Sequence, residues 1–412
     1  MYRLNHLGRV ATLGALVALA ACDSHDTVLG SRVPATGDIF KSYVALGNSI
    51  TAGFQSNGIN DSTQRQSYAR LLAIQMGTQY HYASLAMPGC SPPIANTQTG
   101  ALVGTGSTDK TCALRVGASV TDILNNVAVP GARVLDPISA STVASNPLTT
   151  FILGGKTQVA RALDANPTFT TIWIGNNDVL AAGLSGIIVP QPAIGQLGII
   201  STQAQFQASY DTMIQQLTAG APGIQGVLIG VAQVAYVPSM SSAALIASSP
   251  AIQAGMNAAT GKTVVIHPNC TGSAALIDVP QLLLQIKNEK HPPIIACDKA
   301  TPGLPFPVGD IFVLDAAEQA TLSATIVGYN TYIAQKAAAV GFAYYDPNIL
   351  YLAKRTNGEI PPFPNLASAT LTFGNLFSLD GIHPSGATHQ LLANEIIGVI
   401  NAKYGTSLSR VP

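Results

Sequence analysis

An α/β fold with a mainly parallel sheet, covered on both faces by helices, is the class this sequence predicts. Three observations carry that expectation. Short apolar runs recur along the chain, separated by longer segments with helical periodicity, the order that builds parallel strands. The runs are rich in Ile, Val, Leu and Tyr without polar alternation, as in strands buried on both sides. Two of them end in a glycine and polar residues, where a strand gives way to a turn or helix.

The elements follow in order. Arg3 and Arg9 precede a short apolar stretch, Val10 to Ala21, which falls below the ~20 residues that span a bilayer. It closes on Leu19-Ala20-Ala21-Cys22, which resembles the bacterial lipobox. Residues 1–22 are therefore expected to be a lipoprotein signal peptide, with Cys22 becoming the lipid-modified N-terminus of a protein anchored to the cell envelope. Residues 23–38 read as a polar tether. Strands are expected at Tyr43–Leu46, Gln79–Leu85, Thr170–Ile174, Gly226–Val231 and Gly341–Tyr345. Helices are expected at Gln66–Met76, Thr202–Leu217, Ala317–Val340 and, amphipathic, at about Ala387–Tyr404. By length the 412 residues could form two domains. The chemistry-bearing segments span nearly all of them, so one large domain over 39–408 is expected. It carries an inserted lobe at about 238–307, and a second irregular stretch lies at Pro88 to Asn125; both are candidate walls of a substrate pocket.

Four segments carry the chemistry. Tyr43-Val-Ala-Leu-Gly-Asn-Ser-Ile-Thr-Ala-Gly53 reads as a buried strand that delivers Ser49 to a helix start, with its hydroxyl at the mouth of the sheet. There its backbone N–H stands among the free donors of a helix N-terminus, which suits a nucleophile that also holds an oxyanion. A serine that merely caps a helix explains the same segment. Near the far end, Asp380-Gly-Ile-His383-Pro384 places an acid three residues before a histidine on a turn. The acid can fix the ring tautomer, leaving the other nitrogen to take a serine proton. Thr170-Thr-Ile-Trp-Ile-Gly-Asn-Asn-Asp178 ends a strand in a polar turn whose asparagine amide can meet a developing negative charge. Asn126-Val-Ala-Val-Pro-Gly131-Ala offers a closely approachable backbone N–H.

Together these segments resemble the signature blocks of the SGNH hydrolases, also called the GDSL lipase/esterase family. Gly47-Asn-Ser-Ile-Thr-Ala-Gly53 resembles the first block, Gly131 the oxyanion glycine, Gly175-Asn-Asn-Asp178 the third block, and Asp380-x-x-His383 the last. The resemblance implies a flavodoxin-like three-layer α/β/α fold with a five-stranded sheet in the order 2-1-3-4-5. It implies a serine esterase or lipase with Ser49, Asp380 and His383 catalytic, and Ser49, Gly131 and Asn177 forming the oxyanion hole. No cofactor or metal is implied. Two positions depart or stay open: Asn48 stands where the family usually has aspartate, and Gly89, in Ala86-Met-Pro-Gly89-Cys90, is an alternative to Gly131.

With Cys22 lipidated, four cysteines remain, Cys90, Cys112, Cys270 and Cys297, which allow three pairings. The sequence-local bridges, Cys90–Cys112 and Cys270–Cys297, are the expected ones and suit an oxidising compartment. Charged residues make up only 10% of the chain, with 20 basic against 20 acidic, so no electrostatic footprint for nucleic acid exists. Gly261-Lys262-Thr263 lacks the first glycine of a phosphate loop, since Met256 occupies its place. His267, His291 and His389 lack metal-ligand spacing, and His389 is expected to order the loop carrying His383. The ester substrate is a small molecule, lipid or glycan. A carbohydrate O-acetyl esterase or acyltransferase would use the same residues, and a silent envelope-binding lipoprotein would retain the fold without the chemistry.

Overall fold

A computed structural model describes residues 37–104, 123–139, 148–191, 199–298 and 312–412. Its centre is a parallel sheet of β1 (Tyr43–Gly47), β2 (Phe169–Trp173), β3 (Gln225–Ile229) and a later strand, Ala343–Tyr345, side by side in that order. Tyr43 pairs with Phe169 and Gly47 with Trp173; Val227 pairs with Ala343 across the other side. Every residue of β1 and β2 is buried, as the unbroken apolar runs predict for strands covered on both faces.

Two helix layers supply the cover. Helices Gln158–Leu163, Gln203–Gly220 and Ala316–Val340 pack on one face, and Tyr68–Met76 and Gly386–Tyr404 on the other. The two faces are told apart at neighbouring residues, since Tyr344 lies against Gly230 and Tyr345 lies near Glu395 of the last helix. Two of the long helices open on capping boxes, Thr202 with Gln205 and Asp315 with Glu318, and the latter closes at Gly341 in the left-handed region.

Between β3 and the last strand the chain builds the lobe. It contains β4 (Met240–Ser242), β5 (Val265–Ile266), β6 (Leu276–Asp278), β7 (Ile294–Ile295) and β8 (Val313–Leu314), so Ala343–Tyr345 is β9. β4, β6 and β8 form an antiparallel sheet and β5 pairs with β7. Ile246, Met256, Ile277, Leu282 and Ile286 form the lobe's own core. The Cys270–Cys297 disulfide closes it. Cys90 is also disulfide-bonded, while Cys112 lies outside the described residues, as do Cys22 and the whole of residues 1–36.

One expected strand is corrected. Four strands, not five, form the main sheet among the described residues, because Gln79–Leu85 makes only isolated bridges. The place beside β1 belongs to residues 125–129, through Ala45 N–H to the Asn125 carbonyl (2.7 Å) and Val127 and Val129 N–H to the Ala45 and Gly47 carbonyls (3.0 and 3.1 Å). His81 is taken up by the asparagines of that segment, donating its N–H to Asn125 Oδ1 at 2.9 Å. The order of the other four strands matches 1-3-4-5 of the expected arrangement. No helix among the described residues is long and apolar enough to cross a membrane.

Candidate active site

β1 ends at Gly47, where no side chain fits: a Cβ there would lie 2.4 Å from Thr51 Oγ1 and 2.6 Å from the Trp173 carbonyl. Gln158 clamps this residue by accepting its N–H at 2.9 Å and donating to its carbonyl at 3.0 Å. The chain then turns into the short helix Ser49–Ala52, whose N-cap is Asn48. Asn48 Oδ1 accepts the Ile50 N–H at 3.0 Å, and its amide reaches Asn176 Oδ1 at 3.4 Å. Asparagine caps as well as aspartate and adds a donor. The departure from the family pattern thus links the first block to the third.

The C-terminal turn meets this helix start. His383 Nε2 lies 2.9 Å from Ser49 Oγ, and His383 Nδ1 lies 2.8 Å from Asp380 Oδ2. Burial would raise the Asp380 pKa, but His383 and the surrounding N–H donors outweigh it and hold the carboxyl down at about 2. Phe54 packs against the His383 ring, 4.9 Å between centroids.

The oxyanion candidates separate. Val129 is level with Gly47 at the end of β1, so Gly131 lies just beyond that end, on the side of Ser49. Asn177 donates an amide hydrogen to the Ala132 carbonyl at 2.8 Å, joining the Gly131 segment to the third block. Gly89 sits elsewhere, packed under residues 59–60, with the Cys90 N–H on the Ile59 carbonyl at 2.8 Å. Asp178 completes the frame from its buried position. It accepts the Val134 N–H at 2.9 Å and the Ser201 hydroxyl at 2.5 Å, with Arg133 3.6 Å away. Burial raises its pKa, opposed by Arg133.

A cleft opens beside Ser49 and His383, with an empty space of about 540 Å³ including its mouth. Leu180, Val234, Val237, Tyr351, Phe377 and Ile382 line it, with Asn176, Asn177 and Gln233, and among the described residues no Lys, Arg, Asp or Glu does. Among the described residues these walls come from the Asn176–Asn177 turn, the helix Leu180–Ser185, the segment after β3, the helix Pro347–Thr356 and the approach to Asp380, and not from the described parts of 238–307 or 88–125. His389 is also placed differently from its expected role. It accepts the Tyr68 N–H at 3.2 Å and stacks on the Tyr68 ring, fastening the last helix to Tyr68–Met76 rather than bonding the His383 loop. Burial, and secondarily His383, lowers its pKa to about 3.

Gln158 carries no local motif that marks it for the task of clamping Gly47. Gln158 is 111 positions from the glycine it clamps.

Structures that overlay on the chain include a variant of the acetylxylan esterase Axe2 from Geobacillus stearothermophilus (11% identity, TM-score 0.36, 90% of this chain and 97% of that one). An extracellular lipase from Streptomyces rimosus also overlays (14% identity, TM-score 0.33, 88% and 99%). So does a family two carbohydrate esterase from Clostridium thermocellum (10% identity, TM-score 0.36, 89% and 65%). Overlaps this loose say nothing of this chain's own substrate. A comparison with curated proteins finds no relative. The family model for GDSL-like lipase/acylhydrolases matches residues 43–396, and the chain thus belongs to that family and is a carboxylic ester hydrolase.

Proposed function

We propose that the protein is a serine esterase working through an acyl-enzyme on esters with an apolar acyl chain longer than acetyl. The observation that carries this reading is the unbroken relay from Asp380 through His383 to Ser49, at 2.8 and 2.9 Å. Ser49 Oγ attacks the ester carbonyl as His383 Nε2 takes its proton, and Asp380 steadies the imidazolium. The oxyanion is met by the N–H groups of Ser49 and Gly131 and by the second amide hydrogen of Asn177. Collapse breaks the bond to the alcohol, which leaves with the proton from His383. Water, deprotonated by the same nitrogen, then attacks the acyl-enzyme and restores Ser49.

The charge-free cleft supports the longer acyl chain, since a methyl group alone would leave most of its apolar lining against water. Residues 1–22 support a further part of the reading, in which Cys22 is lipidated and the enzyme is held at the cell envelope facing the periplasm or exterior. The test is a p-nitrophenyl ester series from acetyl to palmitoyl, run on the form starting after Cys22 beside Ser49→Ala and His383→Ala. Both variants should lose turnover, with an optimum beyond acetyl in the parent. An acetyl optimum would instead favour the O-acetyl esterase reading, and an active Ser49→Ala would remove the nucleophile. Radiolabelled palmitate incorporation, lost in Cys22→Ala, tests the anchor.

A further inference from the structure

The Asp380 carboxylate is held by far more than the ring it faces. Oδ1 accepts the N–H groups of Ile382 (2.9 Å) and His383 (2.8 Å) and the Ser378 hydroxyl (3.1 Å). Oδ2 accepts the Asn57 N–H at 2.8 Å besides His383 Nδ1. The Ser378 oxygen in turn accepts the Ser56 N–H at 2.8 Å, and Ser56 Oγ accepts the Leu379 N–H at 3.0 Å. Ser378 is 7% exposed and Asp380 8%.

Ser56 and Asn57 are the tip of a two-residue hairpin, closed by Gln55 N–H to the Gly58 carbonyl (2.8 Å) and Gly58 N–H to the Gln55 carbonyl (3.0 Å). Both tip residues have φ of 56°, the left-handed geometry of a type I′ turn. Such residues cost folding energy unless their surroundings fix them. Here the fixing contacts are those to Ser378, Leu379 and Asp380. At the hairpin's other side Gly58 packs closely on Pro93, whose nitrogen would lie 2.3 Å from a Cβ.

We infer that Ser378 is a positioning residue, which locks the Asp380 carboxylate in the orientation His383 requires and ties it to the Ser56–Asn57 hairpin tip. The inference rests on the Ser49–His383–Asp380 reading. Ser378 touches neither substrate nor reacting atoms. Its hydroxyl donates to one carboxylate oxygen, so the other is presented to the ring. That donation also draws off part of the negative charge that would otherwise stabilise protonated His383.

The test compares the parent with Ser378→Ala, Ser378→Cys, Ser378→Thr and Ser49→Ala on one soluble p-nitrophenyl ester across pH. Ser378→Ala should lower kcat roughly ten-fold with KM nearly unchanged. Its acid limb in kcat/KM should move to higher pH by about half a unit, the equivalent of one lost hydrogen bond. Ser378→Thr keeps the hydroxyl and should restore the parent profile. Ser378→Cys, a weaker donor of similar size, should fall between and carries the test if the alanine variant does not fold. An alanine variant with the parent's kcat and acid limb, beside an inactive Ser49→Ala, would overturn the inference alone. A kcat loss at unchanged acid limb would also overturn it, as the mark of a merely structural role. An active Ser49→Ala would overturn the triad reading and this inference with it.

Discussion

Asn177 has two amide hydrogens and uses one on the Ala132 carbonyl, which leaves the other for the oxyanion role proposed above. Asn177→Ala should therefore lower kcat by ~10²–10³ with little change in KM, as loss of one oxyanion donor does, and steady-state kinetics on a short ester checks this. The residues that the fold brings into one hydrogen-bonded relay were legible in the sequence because each sits in a short local motif: Ser49 after Gly47-Asn48, and His383 three places after Asp380. Their supports were not. Ser378 meets Ser56 across 322 positions and Asn57 meets Asp380 across 323, distances at which no spacing pattern survives. Asn48 was legible as a departure, yet its bond to Asn176 needed the fold.

At the scale of elements, strands buried on both faces announced themselves as unbroken apolar runs, and the long helices by their period. Gln79–Leu85, in which Gln79, His81 and Ser84 interrupt the apolar residues, does not become a strand. What displaces it is a pair of asparagines: Asn125 donates to the Tyr43 carbonyl at 2.8 Å and Asn126 to the Thr51 carbonyl at 2.9 Å, wedging their segment against β1. Side chains that imitate the backbone ladder are invisible to a periodicity argument. The lobe is held differently, by a small core and one disulfide spanning 27 positions. Replacing Cys270 and Cys297 by serine should cost about 3–4 kcal/mol from the loop length alone. Differential scanning calorimetry should show the drop as a lower Tm, or as a separate early transition if the lobe melts by itself. The Asp380–His383–Ser49 relay contains no lobe residue. One direct link to it among the described residues is the Ser239 N–H on the Gly381 carbonyl, at 3.1 Å.

Across the whole molecule, two buried groups set opposing responses to acid. Asp278 sits in the lobe with Oδ2 unpartnered among the described residues, and burial raises its pKa to about 7. The folded state keeps that proton up to about pH 7, whereas an unfolded aspartate releases it near 3.8, so stability is lost as pH rises through that window. His389 is the reverse, because the unfolded chain takes up a proton below about 6.5 that the folded ring refuses until about pH 3. Between those limits the two slopes offset one another. Asp278→Asn keeps the helix cap and removes one side of the balance. Its Tm should exceed the parent's by an amount equivalent to a few kcal/mol at pH 8, and the difference should vanish by about pH 4. A constant difference from pH 4 to 8 would mean that Asp278 does not titrate in the folded protein.

The bond from Tyr68 to His389 also has a consequence in time. Ribosomes deliver this chain from its amino end, so Ser49 and the Ser56–Asn57 tip exist long before His383, the partner proposed to arm the serine. That partner lies 334 positions later and comes to rest only when the last helix settles on Tyr68–Met76. Until then, on the mechanism proposed above, the serine is an ordinary alcohol, and esters met during synthesis are safe from it. Hydrolysis is thus a signal that the molecule has been finished, and the onset of activity during refolding should coincide with docking of the final helix rather than with formation of the sheet.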